Sequence, residues 1–285
     1  MNISLIKAIR PLNLILILSS QILSVYFLGF KNSIIDIFNT THLALYSVTL
    51  LCLASGNLFN AYFYCNPSID SEQNDSSVRF KNKILISAML FVIGALLISF
   101  LSSYKLGVIA MFSISVIFLY NSIFKKIPLI GNIILAVLYS FPIFMLMMFD
   151  SNLKSILIIV FSIFTFGIQL INAILFDAEN IEKDRKLGFN SFPILAGIKS
   201  SRIFLLLFLF IFILVVTTCV RLIVTNFFSP PLSNLFIAYN ILCVGFPLFH
   251  LLLKLQTATE KSDFVYLRKV ICYTAITRTL SMMFF

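Results

Sequence analysis

The residues able to do chemistry are concentrated in one stretch, Asp177-Ala178-Glu179-Asn180-Ile181-Glu182-Lys183-Asp184-Arg185-Lys186-Leu187-Gly188, followed by Phe189-Asn190-Ser191-Phe192-Pro193 and Gly197. It is the densest run of ionisable residues in the chain and comes directly after a membrane-length apolar segment. At about 100° per residue, a helix continuing through the run puts Gln169, Asn172, Asp177, Asn180 and Asp184 within an arc of about 140°. Carboxylates repeated on one face can hold a hard divalent cation, and the adjacent Lys and Arg can hold phosphate. A solvated charged loop fits the same spacing, which leaves both readings open.

The elements that must position this stretch are set by composition. The 285 residues are 60% hydrophobic and 11% charged, with a mean hydropathy of +1.04. A soluble domain carries about a quarter charged residues, so most of this chain faces lipid or other apolar helices. Apolar segments recur near 11–29, 42–63, 84–103, 106–124, 127–149, 155–176, 202–225, 232–253 and 264–285, the last interrupted by Arg268, Lys269 and Arg278. The expectation is an all-α polytopic membrane helical bundle of nine transmembrane helices, in a single domain spanning residues 1–285. Turn signals such as Asn66-Pro67-Ser68 and Ser229-Pro230-Pro231 fall between spans. Lys7 and Arg10 precede the first apolar run as in a signal peptide, but the run is long and shows no small-residue cleavage site, so it reads as the first membrane helix.

Loop charge gives an orientation. Basic residues collect at the N-terminus and in the connections after spans two, four, six and eight: Lys7, Arg10, Arg79, Lys81, Lys83, Lys125, Lys126, Lys183, Arg185, Lys186, Lys199, Arg202, Lys254 and Lys261. The other connections hold Lys31, Lys105, Lys154 and Arg221. The positive-inside rule makes the first group cytoplasmic, with the N-terminus and the long polar loops near 64–83 and 177–201 on that side of an inner or cell membrane. The net charge of +10 is accounted for by these loops, and no basic helix or aromatic–basic ribbon suggests a nucleic-acid partner. Five cysteines without C-x-x-C spacing argue against disulfides and a thiolate metal site, and His42 and His250 read as packing or interfacial residues.

A second polar cluster ends the second span. Asn57, Asn60, Ala61 and Tyr64 share a helical face, and buried amides near a helix end need partners. A neighbouring helix or the mouth of a polar cavity would each supply them.

Arg10-Pro11 with Asn13-Leu14, the Asn60 region, Leu119-Tyr120-Asn121-Ser122 through Lys125-Lys126-Ile127-Pro128-Leu129-Ile130-Gly131-Asn132, and Asp177 through Gly197 follow one another in an order and spacing that resembles the UbiA-type integral-membrane prenyltransferases. The resemblance covers nearly the whole chain and is most specific at Asp177–Gly197 and Lys125–Asn132. It implies a nine-helix bundle in which two Asp-rich motifs and magnesium ionise a polyprenyl diphosphate, the prenyl group passing to an aromatic or other hydrophobic acceptor. Asp177 and Asp184 match the second motif, D-x-x-D-x-x-x-D, with Asn180 at its middle position and Glu179 alongside. The first motif, N-D-x-x-D-x-x-x-D, keeps Asn60 but has Ala61, Tyr64 and Ser68 where carboxylates are expected, with Asp70, Glu72 and Asp75 downstream.

The resemblance therefore implies Asp177 and Asp184 as catalytic residues and Asp177, Asp184, Asn180 and Glu179 as a metal set suited to a single Mg²⁺. It implies Asn57, Asn60, Tyr64, Lys125, Lys126, Arg185 and Lys186 as substrate-binding residues. Tyr62, Tyr64, Tyr120 and Tyr139 could face an allylic cation, which aromatic faces stabilise. The partners implied are an isoprenoid diphosphate, a hydrophobic acceptor and membrane lipid. Loss of the first-motif carboxylates also fits a catalytically inactive isoprenoid-binding relative, and a terpene cyclase of the same fold would use the substrate's own double bond as acceptor.

Overall fold

The computed structural model describes residues 5–29, 37–64 and 75–285. Cys65, Asn66, Pro67, Ser68, Asp70, Glu72 and Lys31, and the side chains of Lys7, Tyr64 and Asp75, lie outside the described residues. Within them, regular structure is helical apart from one isolated bridge between Gly29 and Leu153. The chain forms two compact units, residues 1–21 with 33–125 and residues 22–32 with 126–285.

The first unit holds α1 (Leu5–Ile9), the start of α2 (Pro11–Phe27), α3 (Thr40–Tyr64), α4 (Asp75–Ser102) and α5 (Tyr104–Ser122). The second holds α6 (Ile130–Phe149), α7 (Ser155–Glu179), α8 (Ile181–Lys186), α9 (Phe192–Phe227), α10 (Leu232–Asn240), α11 (Phe246–Leu255) and α12 (Lys261–Leu280). Each expected apolar segment coincides with a helix, the pair α10–α11 forming one of them through a π-turn at Ile241–Gly245. Among the described residues seven helices are long and apolar enough to cross a membrane, and α2 is a shorter apolar helix. Helices are the expected solution in lipid, because each satisfies its own backbone hydrogen bonds.

In the first unit α3 packs on both α4 and α5, and α1 packs on α3. Ser103 separates α4 from α5 and caps the latter, its Oγ accepting from the Leu106 N–H at 3.1 Å. In the second unit α7 is central, touching α6, α9 and α12. Its apolar residues run nearly all round, as suits a helix with neighbours on several sides, and Leu157, Ile158, Phe161, Ile171 and Ile174 are buried. Gly167 lets α9 approach closely, since a Cβ there would run into the Phe212 ring.

The cations of the last segment are all accounted for within this unit. Arg278 is buried, its Cζ 3.9 Å and 3.8 Å from the ring centroids of Phe161 and Phe164, and its Nη1 donates to Ser281 Oγ. The guanidinium is thus wrapped by two aromatic faces. Lys269 is exposed, and Arg268 reaches the end of α7. Pro247 supplies no N–H to the carbonyl four residues earlier, that of Cys243, and Thr277 Oγ1 donates to that oxygen at 2.7 Å.

Candidate functional site

The polar stretch after the sixth span is built on the end of α7. The spacing predicts one helix through residues 177–188, but α7 ends at Glu179 and the short α8 begins at Ile181. The break sits at Asn180, whose backbone (φ −108°, ψ 17°) leaves the helical region and whose Nδ2 donates to the Phe176 carbonyl at 2.8 Å. The side chain thus adds a second donor to a terminal carbonyl that the Asn180 N–H also reaches, at 3.1 Å, and caps the end of the helix. After α8, Gly188 takes φ +70°, and the Gly188 and Phe189 N–H groups return to the carbonyls of Arg185 (3.2 Å) and Asp184 (2.9 Å). A side chain at that position would be strained, which is why a glycine closes the turn. Gly197, with φ +82°, breaks α9 near its start in the same way.

Within α7 itself, before the break, the polar side chains are divided between two neighbouring helices. Asp177 faces α6, where its Oδ2 accepts from Asn132 Nδ2 at 2.8 Å. Asn172 and Glu179 face α12 instead: Arg268 donates through Nε to Asn172 Oδ1 at 3.3 Å and through Nη1 to Glu179 Oε2 at 2.5 Å. The Arg268 Cζ also lies 4.6 Å from the Phe176 ring centroid. On α8, Asp184 is buried while Glu182, Lys183, Arg185 and Lys186 are exposed. Asn132 and Arg268 are not among the expected site residues. The signals for them are an amide closing the Lys125–Asn132 run and a cation interrupting an apolar segment.

The first unit carries the other expected residues. Lys125, in the 3₁₀ turn Phe124–Lys126, donates through Nζ to Asn60 Oδ1 at 2.9 Å and is half-buried. Asn57 donates through Nδ2 to the Ile9 carbonyl at 2.8 Å, which ties α3 to α1. Asn121 likewise serves the helices, with Nδ2 donating to the Ile117 carbonyl at 2.9 Å. Lys81 Nζ lies 4.8 Å from the Tyr62 ring centroid. Ala61 is half-buried and offers no donor, and Lys126, which belongs to the second unit, is exposed.

Among the described residues no three His, Cys, Asp or Glu side chains gather into a group that could hold a metal ion. The donor set at the end of α7 still suits magnesium, which binds through one or two carboxylates and takes its other ligands from phosphate and water. Asp177, oriented by an amide, and Asp184, buried on the next turn of chain, are hard anionic donors, and the Asn180 amide oxygen lies between them in sequence.

The model of the UbiA prenyltransferase family matches residues 22–270. A digeranylgeranylglyceryl phosphate synthase of Methanospirillum hungatei is 29% identical over 167 residues, which cover 55% of this chain and 58% of the relative. The match thus spans little more than half of that relative's length. A solved structure concerned with digeranylgeranylglyceryl phosphate synthase in membranes aligns with a TM-score of 0.66 at 18% identity, covering 99% of each chain. A UbiA homologue from Archaeoglobus fulgidus bound to DMAPP and Mg²⁺ aligns with a TM-score of 0.61 at 13% identity, again over 99% of each. At these identities the structural likeness is one of fold.

Proposed function

Since the chain belongs to the UbiA prenyltransferase family, we propose that it transfers a prenyl group from an isoprenoid diphosphate to a hydrophobic acceptor, with the help of a magnesium ion. The observation that carries the reading is the Asn132–Asp177 hydrogen bond at the end of a membrane-length helix, with buried Asp184 beyond the helix break. Asp177 and Asp184 are the residues that would hold the ion, Asn180 offering a neutral oxygen. The ion would neutralise the diphosphate as it leaves, and electrostatic stabilisation of this kind usually contributes most to the rate of such reactions. The relatives named for a digeranylgeranylglyceryl phosphate synthase and for binding DMAPP with Mg²⁺ support this choice of substrate and ion.

The chain's own cations supply the rest of the charge. Lys125, held by Asn60, is proposed to take a phosphate oxygen as a point charge, standing in for a first motif whose carboxylate positions are Ala61, Tyr64 and Ser68. Arg185 and Lys186, exposed on α8 beside Asp184, are proposed to meet phosphate oxygens at the Asp177–Asp184 end of the second unit, with Lys126 contributing to the field. The apolar spans would receive the prenyl chain. The distribution of Lys and Arg supports a cytoplasmic position for the N-terminus and the polar loops. A single membrane domain over residues 1–285 is part of this reading.

The test is pyrophosphate release by the purified protein from labelled isoprenoid diphosphates of several chain lengths, with lipid acceptors, in the presence and absence of Mg²⁺. Asp177→Ala and Asp184→Ala are each expected to abolish release. Unchanged turnover in both variants would remove the assignment. A second reading, an inactive isoprenoid-binding relative, is favoured by the lost first-motif carboxylates; magnesium-independent binding without release would select it. A cyclised hydrocarbon formed without acceptor would select the terpene cyclase.

A further inference from the structure

We propose that Arg268 is a positioning residue for the end of α7: it takes Glu179 out of the metal set and fixes the start of the Asp177–Asp184 turn to the last helix. This rests on the reading above, in which Asp177 and Asp184 hold the cation.

Asn172, Phe176 and Glu179 lie at i, i+4 and i+7, one face of α7 over two turns, and all three meet the same guanidinium. The geometry uses what is particular to arginine. The fork donates from Nε to an amide and from Nη1 to a carboxylate, while the flat face covers a ring; a lysine ammonium has neither the fork nor the plane. The pair is partly withdrawn from water, with side-chain exposures of 31% for Arg268 and 16% for Glu179, so it is screened less than a surface pair.

Glu179 also stands at an unfavourable place for a carboxylate. It is the last residue of α7, next to the negative end of the helix dipole, where anions are disfavoured and cations favoured. Arg268 offsets that repulsion. The charge of Glu179 is then matched by Arg268, and the cation site rests on Asp177 and Asp184. Asp177 lies two residues before the clamped Glu179 and on a different side of the helix, held by Asn132. With Glu179 fixed to α12 and Asp177 bonded to α6, the helix end has no freedom to rotate about its axis. The Asn180 break therefore directs α8, and with it Asp184, along one course.

The test compares the full-length wild type with E179Q, R268Q, the double variant E179Q/R268Q, the charge swap E179R/R268E, and D177N. Three readouts are used: thermal unfolding of the metal-free protein in detergent, Mn²⁺ binding by electron paramagnetic resonance, and kcat and KM for the diphosphate. E179Q and R268Q are each expected to lower kcat about tenfold, at the lower end of what loss of an orienting partner does, with KM changed less than about threefold. The double variant should be no worse than the poorer single one, because the two changes break one interaction. The swap should recover part of both kcat and unfolding temperature, the share carried by the 179–268 ion pair, because the contacts to Asn172 and Phe176 go with the guanidinium. Mn²⁺ affinity should stay within about threefold of wild type in E179Q and fall more than about tenfold in D177N.

Glu179 as a direct ligand would show itself if E179Q alone weakened Mn²⁺ more than tenfold while R268Q did not, and that outcome overturns the proposal. A large rise in KM in R268Q alone, not recovered by the swap, overturns it too, by making Arg268 a phosphate contact. Additive unfolding shifts for the two single variants would mean the residues are neighbours without a shared role. Wild type that releases no pyrophosphate, or D177N that binds Mn²⁺ normally, defeats the functional reading instead. The metal-free unfolding cycle still decides whether the clamp exists.

Discussion

The carboxylate of Asp177 accepts a 2.8 Å hydrogen bond from the side-chain amide of Asn132, across the α6–α7 contact. Asn132 is itself buried and lies in the first turn of α6. An amide is well suited to this place: it orients a carboxylate without neutralising it, so the oxygen keeps its charge for a cation. Asn132→Leu is expected to lower kcat by about 10- to 100-fold, as loss of an orienting partner of a ligand typically does. Asn132→Asp should do more, since a second carboxylate would raise the electrostatic cost of the pair. Pyrophosphate release measured against Mg²⁺ concentration checks both, and wild-type rates in the leucine variant would sink the assigned role.

Lys125 donates to Asn60 at 2.9 Å in the first unit, at the one position where the first motif is retained. If the ammonium meets a phosphate, Lys125→Gln should raise KM for the diphosphate about tenfold or more, the loss of a charge-assisted hydrogen bond of about 1.5–3 kcal/mol. Lys125→Arg should recover part of it. The effect should shrink as salt is raised, because the contact is partly exposed. Equal KM values in the glutamine variant and wild type across salt concentrations would restrict Lys125 to a topological role.

Why the apolar segments can be read from the sequence, and the polar contacts cannot, follows from what each depends on. A run of some 20 apolar residues in lipid has one way to satisfy its backbone, so Ser155–Glu179 or Tyr104–Ser122 is legible from composition alone. The helix end at Asn180 is not, because it turns on the backbone angles of one residue whose amide caps the Phe176 carbonyl, a local choice that composition does not carry. Helical spacing puts Asn172 on the same polar face as Asp177, but the neighbours on the two sides differ: α12 supplies Arg268 and α6 supplies Asn132. In the sequence Arg268 and Arg278 are visible only as interruptions. Their resolutions, an ion pair to Glu179 in one case and a sandwich of Phe161 and Phe164 in the other, depend on which helices pack together.

At the start of α12, Asp263 and Glu260 form a capping box. The backbone N–H groups of Thr259 and Glu260 donate to Asp263 Oδ2, at 3.0 and 3.1 Å, and hold its carboxyl below the usual carboxylate range, with help from the charge of Lys254. A folded pKa below the unfolded value of about 3.9 means that the bond stabilises the native state above that value. The contribution is lost as pH falls through the lower, folded pKa. The Asp263 carboxyl resonance, followed by NMR in detergent, is expected to titrate below about 3.9, and Asp263→Asn should remove that pH dependence from the exchange of the Thr259 and Glu260 amides. A midpoint at or above the unfolded value would contradict the cap.

Two hydroxyls join α12 to the broken eighth span. Tyr239 Oη donates to the Thr277 carbonyl at 2.6 Å, and Thr277 Oγ1 donates to the Cys243 carbonyl at 2.7 Å. The second bond is the more consequential, because Pro247 has already removed the regular α-helical donor for Cys243. Thr277 has other acceptors within its own helix, the carbonyls of Tyr273 and Thr274 at 3.2 Å each, so its hydroxyl is not held at Cys243 for want of a partner. The shorter distance shows where it is used. Thr277→Val keeps the shape and removes the donor, leaving a carbonyl unpaired inside the membrane. Hydrogen bonds between membrane helices average about 0.6 kcal/mol and reach about 1.7. The orphaned acceptor places this one toward the upper figure, whereas Thr277→Ser should be nearly neutral. Reversible unfolding of the detergent-solubilised protein reads the difference. If Ala stands at position 247 in place of proline and the π-turn tightens to the α register, its N–H reaches Cys243, so the cost of Thr277→Val should fall in the Pro247→Ala background. A cost unchanged by that replacement would show that position 247 is not the missing donor of the Cys243 carbonyl, and that Thr277 serves it for another reason.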